Sequence, residues 1–190
     1  MKKIVIIGSG GHANSVLDVI VSSGKYKFSG FIDKNIKNKK VIGSDKDLEK
    51  IFKKIKYAAI GVGQIKSSNT RKNLYKKLKK IGYKLPVIIS PNSYVSKSAS
   101  VGEGTIVMHG VIINGNTKIG ENNIINSKAL LEHDVVVGDN CHISTNSTIN
   151  GHTKIGDDTF IGSNATIVNN IKIAKSNFVK AGSLIKKSLK

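Results

Sequence analysis

The most regular feature of the chain is an aliphatic residue at every sixth position of its second half. Stepping by six from Val95 to Ile185 meets only valine, isoleucine or leucine, without a break. Four residues after most of these positions the side chain is small or β-branched, as in Ala99, Thr105 and Ala165. Six residues of this kind predict one short flat strand and its turn, with the aliphatic and the small side chain directed inward. The aliphatic positions are Val95, Val101, Val107, Ile113, Ile119, Ile125, Leu131, Val137, Ile143, Ile149, Ile155, Ile161, Ile167, Ile173, Val179 and Ile185.

A period of eighteen residues is superimposed on the first period and predicts how the strands stack. If three hexads close one triangular coil of a parallel β-helix, residues eighteen apart lie above one another, and the repeat predicts about five coils. Glycine and asparagine tolerate left-handed backbone angles, so two columns of such residues predict one corner of the prism. The columns are Gly102, Gly120, Gly138 and Gly156, and, two residues later, Gly104, Asn122, Asn140 and Asp158.

The first half lacks this repeat and alternates between apolar runs and helical patterns. Strands are predicted at residues 4–7, 28–33, 58–63 and 85–89. Helices are predicted from the end of the glycine-rich segment 8–12 to about residue 23, over about 45–54 and over about 69–81. Alternating strands and helices indicate a parallel sheet. The chain is therefore predicted to form a small Rossmann-like α/β domain over residues 1–90 and a β-helix domain over 91–190.

A glycine-rich turn at residues 8–12 follows the first predicted strand. Such a turn presents backbone N–H groups and a helix N-terminus to an anion. The dinucleotide fingerprint is incomplete because Ala13 stands where its last glycine belongs. A tight turn that needs glycine for its own conformation explains the motif equally well. Asp33, at the end of the second predicted strand, is a candidate to bind a ribose or a base.

Composition and charge narrow the class of protein. The chain carries 31 Lys and Arg against 12 Asp and Glu, a formal net charge of +19 at pH 7. The lysines are spread along the chain and Arg71 is the sole arginine, so we attribute the charge to compositional bias and expect no nucleic-acid partner. No run approaches the roughly 20 apolar residues of a membrane span. With the single cysteine Cys141, these features predict a cytoplasmic protein without disulfides.

His133 is the strongest candidate for chemistry. It lies two residues after Leu131, at a position outside the predicted core, and its column neighbours eighteen residues away are Gly115 and Gly151. Small residues above and below leave room for a thin ligand, and an imidazole has the pKa of a base at neutral pH. A solvated turn histidine is the alternative.

The other candidate groups have plainer interpretations. His152 stacks over Asp134 in this register, which suits an exposed ion pair, and His109 is expected to be structural. Cys141 falls at a small inward position and is expected to be a core residue. No His/Cys cluster has the spacing of metal ligands, so no metal is predicted.

The segment Glu132-His133-Asp134, with residues 137–140 and 142–144 after it, resembles the bacterial sugar O/N-acyltransferases of the sialic-acid O-acetyltransferase type. This family includes N-acetyltransferases of UDP- or dTDP-linked 4-amino sugars. The resemblance covers nearly the whole chain, including the turn at 8–12. It implies a left-handed β-helix, acetyl-CoA as co-substrate and a nucleotide-sugar acceptor.

The resemblance also implies roles for individual residues. His133 is the expected general base, tuned by Glu132 and Asp134, and His142 is expected at the acetyl group. The implied acetyl-CoA contacts are His142, Gly151, Ser163 and Ala181. The implied acceptor contacts are Gly10, Gly11, His12, Asp33 and Gly61.

The positions of the two histidines imply an assembly. His142 lies half a coil from His133, so a site that uses both must lie between subunits, as in the hexapeptide trimers of the resembled families. We therefore expect a homotrimer. Phe160 and Phe178 continue the His142 column, so an aromatic-stacked interface position is the alternative for that histidine.

The leading hypothesis is direct acetyl transfer to a nucleotide-linked 4-amino sugar without an acyl-enzyme. The close alternative is O-acetylation of sialic acid or a related sugar, which needs the same base and donor. A non-catalytic hexapeptide scaffold is an alternative of another class, opposed by the intact 132–134 segment. A dinucleotide-dependent enzyme is weakened by the incomplete fingerprint.

Overall fold

The computed structural model describes residues 1–34 and 40–190 and has the two predicted parts. In the first, a parallel sheet with strand order β3-β2-β1-β4 carries helices between its strands. In the second, a left-handed parallel β-helix of about five coils is built from three sheets. The elements of the first part are β1 (Lys2–Ile7), α1 (Gly11–Ser23), β2 (Tyr26–Ile32), β3 (Val41–Gly43), α2 (Leu48–Phe52), β4 (Tyr57–Ile60) and α3 (Asn69–Ile81).

The α/β sheet differs from the prediction at one edge. The segment 85–89 was expected to be its fourth strand, but that place is taken by Val41–Gly43, which pairs with β2. Ile88–Ile89 instead pairs with Ile106–Val107 in the β-helix. The reason is visible in the repeat, because Ile89 lies one hexad before Val95. The division at residue 90 stays a prediction. The second helix is also shorter than expected.

The β-helix consists of two-residue strands on three faces. Sheet I contains β5, β8, β11, β14, β17 and β20; sheet II contains β6, β9, β12, β15, β18 and β21; and sheet III contains β7, β10, β13, β16 and β19. The strands are β5 (Ile88–Ile89), β6 (Tyr94–Val95), β7 (Ser100–Val101), β8 (Ile106–Val107), β9 (Ile112–Ile113), β10 (Lys118–Ile119), β11 (Ile124–Ile125), β12 (Leu130–Leu131), β13 (Val136–Val137), β14 (His142–Ile143), β15 (Thr148–Ile149), β16 (Lys154–Ile155), β17 (Phe160–Ile161), β18 (Thr166–Ile167), β19 (Lys172–Ile173), β20 (Phe178–Val179) and β21 (Leu184–Ile185).

The predicted aliphatic positions form the core of the β-helix. All are buried except Val95, Val101 and Ile185 near its two ends, and those three pack against the buried cluster. Partners are eighteen residues apart, as Leu131 and Ile149 show. Burying one such side chain contributes about 1.5–3 kcal/mol, so a polar substitution at a central position should destabilise the β-helix by at least that amount.

The two columns at the predicted corner have different physical origins. Asn122 and its column mates have positive φ, as expected. The glycines two residues earlier do not have positive φ, so for them the expected reason was wrong. A Cβ at Gly102 would lie 2.5 Å from backbone atoms of Gly120 in the next coil, and the glycine is needed for this close approach.

The α/β part packs on sheet I and on the adjoining corner. Ile106 and Met108 of the β-helix belong to the same buried cluster as Ile4 and Val16. At the corner, two lysines of α3 form ion pairs with carboxylates of the β-helix. Nζ of Lys72 lies 2.8 Å from Oδ2 of Asp158, and Nζ of Lys79 lies 2.6 Å from Oε2 of Glu103. Within residues 1–34 and 40–190, no helix is long and apolar enough to cross a membrane.

Candidate active site

His133 and Asp134 form a hydrogen-bonded pair at an exposed corner of the β-helix. Nδ1 of His133 lies 2.8 Å from Oδ2 of Asp134. Neighbouring residues can meet in this way because Asp134 has φ +59°, which turns the chain between β12 and β13. The hydrogen bond from His133 holds the pKa of Asp134 below its ordinary value, and Asn116 adds a second hydrogen bond. The ionised carboxylate therefore accepts a hydrogen bond from the Nδ1–H group, which places the lone pair of the His133 ring on Nε2.

The Glu132 carboxylate is hydrogen-bonded away from the His133 ring. Its Oε2 atom accepts a hydrogen bond from Nδ2 of Asn114 at 2.9 Å, one coil away. Of the two carboxylates expected to tune the base, Asp134 is therefore the one placed to orient the imidazole.

The His133 ring lies over Gly151 and opens into a cleft. A Cβ at Gly151 would be 2.8 Å from both Cε1 and Nε2 of His133, so any larger residue would displace the ring. The cleft has a volume of about 360 Å³ and is lined by Glu132, His133, Asn150, Gly151, His152 and Asn169. Gly151, assigned to the coenzyme by resemblance, is thus placed directly beneath the candidate base.

His142 is buried where the two parts of the chain meet. Its Nδ1 atom bonds the backbone carbonyl of Gln64, and its Nε2 atom lies 3.2 Å from Nδ2 of Asn126. Its ring packs edge-on against Phe160, which stacks on Phe178. Burial lowers the pKa of His142 to about 4, so the ring is neutral at pH 7. Because a carbonyl only accepts hydrogen bonds, the single ring proton is on Nδ1 and Nε2 is an acceptor.

His12 lies in the first turn of α1, close to His142, and is neutral as well. Burial lowers its pKa to about 3, with Arg71 and His142 contributing. Its Nε2 atom is buried and has no hydrogen-bond partner among the residues that the structure describes. A polar atom in this state favours a ligand that completes the site. The adjoining cleft of about 390 Å³ is bordered by His12, Asn14, Ser15, Asp18, Met108, His109, Asn126 and Ser127.

His142 and the partly buried His12 predict a pH dependence of stability. In the unfolded chain both have a pKa near 6.5, whereas the folded values are about 4 and about 3. The unfolded state therefore binds protons first, so stability is full above pH 6.5 and falls as the pH drops towards 4. At pH 5.5 each histidine should cost about 1.4 kcal/mol.

Urea denaturation at pH 7.5 and 5.5 checks this expectation. The loss of unfolding free energy between the two pH values should be smaller by about 1.4 kcal/mol in His142→Gln than in the parent chain. An identical loss in both proteins would contradict the buried, neutral state of His142.

The sequence left open whether the glycines of the loop at residues 8–12 serve the turn itself or a bound anion. Gly8 has φ +97°, so there the turn itself requires glycine. Gly10 and Gly11 have no positive φ, and a Cβ at either would meet nothing within 4 Å. The turn does not need glycine at these two positions, which favours the approach of a ligand. They lie at the N-terminus of α1, where N–H groups face outward.

Asp33 and Gly61 both support this loop. Oδ2 of Asp33 accepts hydrogen bonds from the N–H and the hydroxyl of Ser9, at 2.7 and 2.8 Å. A cleft bordered by Gly8, Asp33 and Asp45 lies beside it. A Cβ at Gly61 would be 2.7 Å from Cβ of Ala13, so its glycine is explained by the packing of α1 on β4.

Ser163 and Ala181 lie one coil apart at the corner between sheets I and II. The Ser163 hydroxyl is 2.9 Å from that of Ser144, and the Ser163 carbonyl accepts the N–H of Gly182 at 2.8 Å. Ala181 is exposed. The two therefore form an accessible backbone edge on the same side of the prism as His142 and away from the His133 corner.

Cys141 is unsuited to nucleophilic catalysis. It is buried, and burial raises the pKa of its thiol to about 12. It occupies the inward position expected from the repeat.

Arg71 is a central residue that sequence reasoning did not single out. Its guanidinium is fully buried and donates to the carbonyls of Ile60, Val62, Gly104 and Asn122 at 2.7–3.2 Å. It thereby ties the end of β4 to two coils of the β-helix. Burial lowers its pKa to about 9, which leaves it charged at pH 7.

His109 makes a further link between the two parts. Its Nε2 atom lies 2.9 Å from Oδ2 of Asp18 on α1, and its Nδ1 atom lies 2.6 Å from the hydroxyl of Ser90. This contact fixes α1, and with it the glycine loop, against the β-helix.

Comparison with known proteins gives two family matches. Residues 3–78 match the PglD N-terminal domain, and residues 116–151 and 152–187 each match the bacterial transferase hexapeptide model of six repeats. No curated protein matches the chain.

Three examples represent the solved structures that are similar over nearly the whole chain. A histidine-to-asparagine variant of perosamine N-acetyltransferase from Caulobacter crescentus, in complex with CoA and GDP-perosamine, is 28% identical with a TM-score of 0.93, covering 100% of this chain and 90% of that one. The acetyltransferase domain of PglB from Neisseria gonorrhoeae, with acetyl coenzyme A, is 26% identical with a TM-score of 0.92, covering 99% and 92%. WeeI from Acinetobacter baumannii, at 21% identity and a TM-score of 0.64, covers 96% and 95% and shows the fold alone.

Proposed function

The chain belongs to the bacterial sugar acyltransferases that join a PglD-type N-terminal domain to a hexapeptide β-helix, and from that premise we propose that it N-acetylates a nucleotide-linked 4-amino sugar. It is an acetyltransferase, and its co-substrate is acetyl-CoA. The observation that carries the proposed chemistry is the His133–Asp134 pair, in which Nδ1 makes the hydrogen bond and the imidazole lines a cleft.

The reaction is a direct transfer. The acceptor nitrogen attacks the thioester carbonyl, the C–N bond forms, the C–S bond breaks, and coenzyme A leaves as the thiol. Nε2 of His133 takes the proton from the nitrogen and then gives it to the departing sulfur, while Asp134 stabilises the charged imidazole through Nδ1. His142 borders the acetyl group but cannot donate to the thioester oxygen through Nε2, because its ring proton is on Nδ1.

Acceptor and donor occupy different parts of the molecule. Gly10, Gly11 and His12 are proposed to hold the phosphates and the sugar, with Asp33 and Gly61 shaping the loop. The backbone at Ser163 and Ala181 is proposed to border the pantetheine.

Thiol release from acetyl-CoA, measured against a panel of amino-sugar nucleotides and free sialic acids, tests the substrate class. A nucleotide-linked 4-amino sugar should give a kcat/KM at least about a hundredfold above any sialic acid. A preference for sialic acid would instead support O-acetylation.

Substitution of Gly11 by tryptophan tests the division of ligands. Open space around Gly11 lets the chain fold with the larger side chain, which then blocks the anion site. The KM for the acceptor should rise at least about tenfold, while that for acetyl-CoA stays within about twofold. Equal damage to both constants would count against the assignment.

We propose that the active assembly is a homotrimer whose site joins His133 of one subunit to His142 of the next. The two residues lie on different sides of the prism, one at the corner between β12 and β13 and one on sheet I. The outer face of sheet II is also apolar, with Tyr94, Ile112 and Leu184 between 42% and 59% exposed. Such a face suits a subunit contact.

Mixed trimers test the shared site. His133→Ala and His142→Ala chains, unfolded together and reassembled one to one, should recover about a quarter of the parent activity, because one site in four receives both histidines. Recovery no greater than that of either variant alone would contradict a site between subunits.

A further inference from the structure

We infer that the corner carrying His133 is also an inhibitory binding site for a divalent transition-metal ion such as Zn²⁺, with His133, Asp134 and His152 as ligands. This inference rests on the proposed function, because the same imidazole serves as the catalytic base. It departs from the sequence-based expectation of no metal, which considered spacing along the chain and not proximity across coils.

The three side chains converge although they come from two coils. Oδ2 of Asp134 lies 2.8 Å from Nδ1 of His133 and 3.8 Å from Nε2 of His152. One potential ligand atom from each residue lies within 4.8 Å of the other two. Tetrahedral zinc with bonds near 2.0–2.1 Å needs ligand atoms about 3.3 Å apart, so small side-chain rotations suffice. The rings have room for these rotations, being 58% and 57% exposed.

The backbone holds the ligand set in place. The N–H of His152 donates to the carbonyl of His133 at 3.1 Å, and the N–H of Asp134 donates to the carbonyl of Gly115 at 2.9 Å. Both Asp134 and His152 have positive φ at the same corner of the prism. A hydrogen bond from Asn116 orients the carboxylate, as outer partners of metal ligands do. Two imidazoles and a carboxylate suit zinc, and the cleft leaves a fourth position open to solvent.

Metal binding would abolish the base by changing the tautomer of His133. In the metal-free pair, the ring proton is on Nδ1 and the lone pair is on Nε2. A metal ion takes the lone pair of Nδ1, so the single ring proton must move to Nε2. Nε2 then cannot accept the proton of the acceptor amine. The metal also neutralises Asp134, which otherwise stabilises the imidazolium.

Calorimetric titration of the metal-free protein with ZnCl₂, in the absence of substrates, tests the site. We expect one ion per chain, at least about tenfold weaker binding in His152→Ala, and binding within about twofold of the parent in His109→Ala. His109 is a matched control, since it pairs with Asp18 at 2.9 Å but belongs to no metal-sized cluster with a second histidine among residues 1–34 and 40–190. Equal affinity in parent and His152→Ala, or no binding at millimolar zinc, would overturn the site.

Inhibition is measured separately as N-acetyl product, so that zinc binding by released thiol does not disturb the readout. Zinc should inhibit the parent, EDTA should restore its rate, and the half-inhibitory concentration should rise at least about tenfold in His152→Ala relative to that variant's own zinc-free rate. Binding that depends on His152 without inhibition would overturn the tautomer argument. If no acetyl transfer occurs without zinc, the proposed function fails while the calorimetry still decides whether the metal site exists.

Discussion

Replacing His133 with alanine should lower kcat by at least about a hundredfold. The imidazole is proposed to take the proton from the attacking group, and general-base catalysis typically contributes about 10²–10⁴-fold. The His133 side chain is 58% exposed, so the fold and the affinity for acetyl-CoA should be largely kept. Steady-state kinetics with both substrates varied, together with direct titration of acetyl-CoA, measures the two effects.

Cys141→Ser is the matched control for this prediction. The thiol is buried and its pKa is raised to about 12, so direct transfer predicts that most of kcat survives, with a modest loss of stability. Loss of turnover in Cys141→Ser, or an acetylated enzyme trapped by mass spectrometry, would show that the reaction proceeds through an acyl-enzyme. A His133→Ala chain within about threefold of the parent kcat would equally rule out His133 as the base.

Replacing Arg71 with methionine should cost about 3–5 kcal/mol of unfolding free energy. The substitution leaves four carbonyl oxygens without their donor, and a buried unsatisfied group costs about 1–3 kcal/mol before the structure relaxes. Removing the buried charge recovers part of that cost. Urea denaturation followed by circular dichroism, at one protein concentration for all variants, gives the comparison.

Arg71→Lys separates charge from geometry. Lysine keeps the charge but offers three donors on one nitrogen, which cannot reach four carbonyls spread over β4 and two coils. It should therefore fall between the parent and Arg71→Met. A methionine variant within about 1 kcal/mol of the parent would show that the guanidinium does not hold the two parts together.

The fold was largely predictable because the β-helix is a local repeat. The aliphatic residue of each hexad can be recognised from the hexad alone, and it points inward. The eighteen-residue period then predicts which strands pair, as Leu131 and Ile149 do. The error at residues 85–89 has the same origin, since Ile89 belongs to the repeat but was assigned to the neighbouring sheet. The short strand Val41–Gly43 carries no comparable signal and is defined by its pairing with β2.

The candidate site was predictable only in part. The His133–Asp134 contact depends on the left-handed conformation of Asp134, a residue that is not in the columns from which a corner was predicted. The environment of His142 depends on Gln64, 78 residues away, and that of Arg71 on carbonyls of two separate coils. Such contacts are set by how the α/β part packs on sheet I, and the periodic pattern of the sequence does not predict that packing.

Carbonyl-¹³C NMR of the product most directly tests the central claim. The parent chain, incubated with [1-¹³C]acetyl-CoA and a nucleotide-linked 4-amino sugar, should transfer the label in one step to an amide on the sugar nitrogen, and His133→Ala should form that amide at least about a hundredfold more slowly. Label in an ester, label held on the protein, or undiminished amide formation by His133→Ala would contradict acetyl transfer to an amine with His133 as the base.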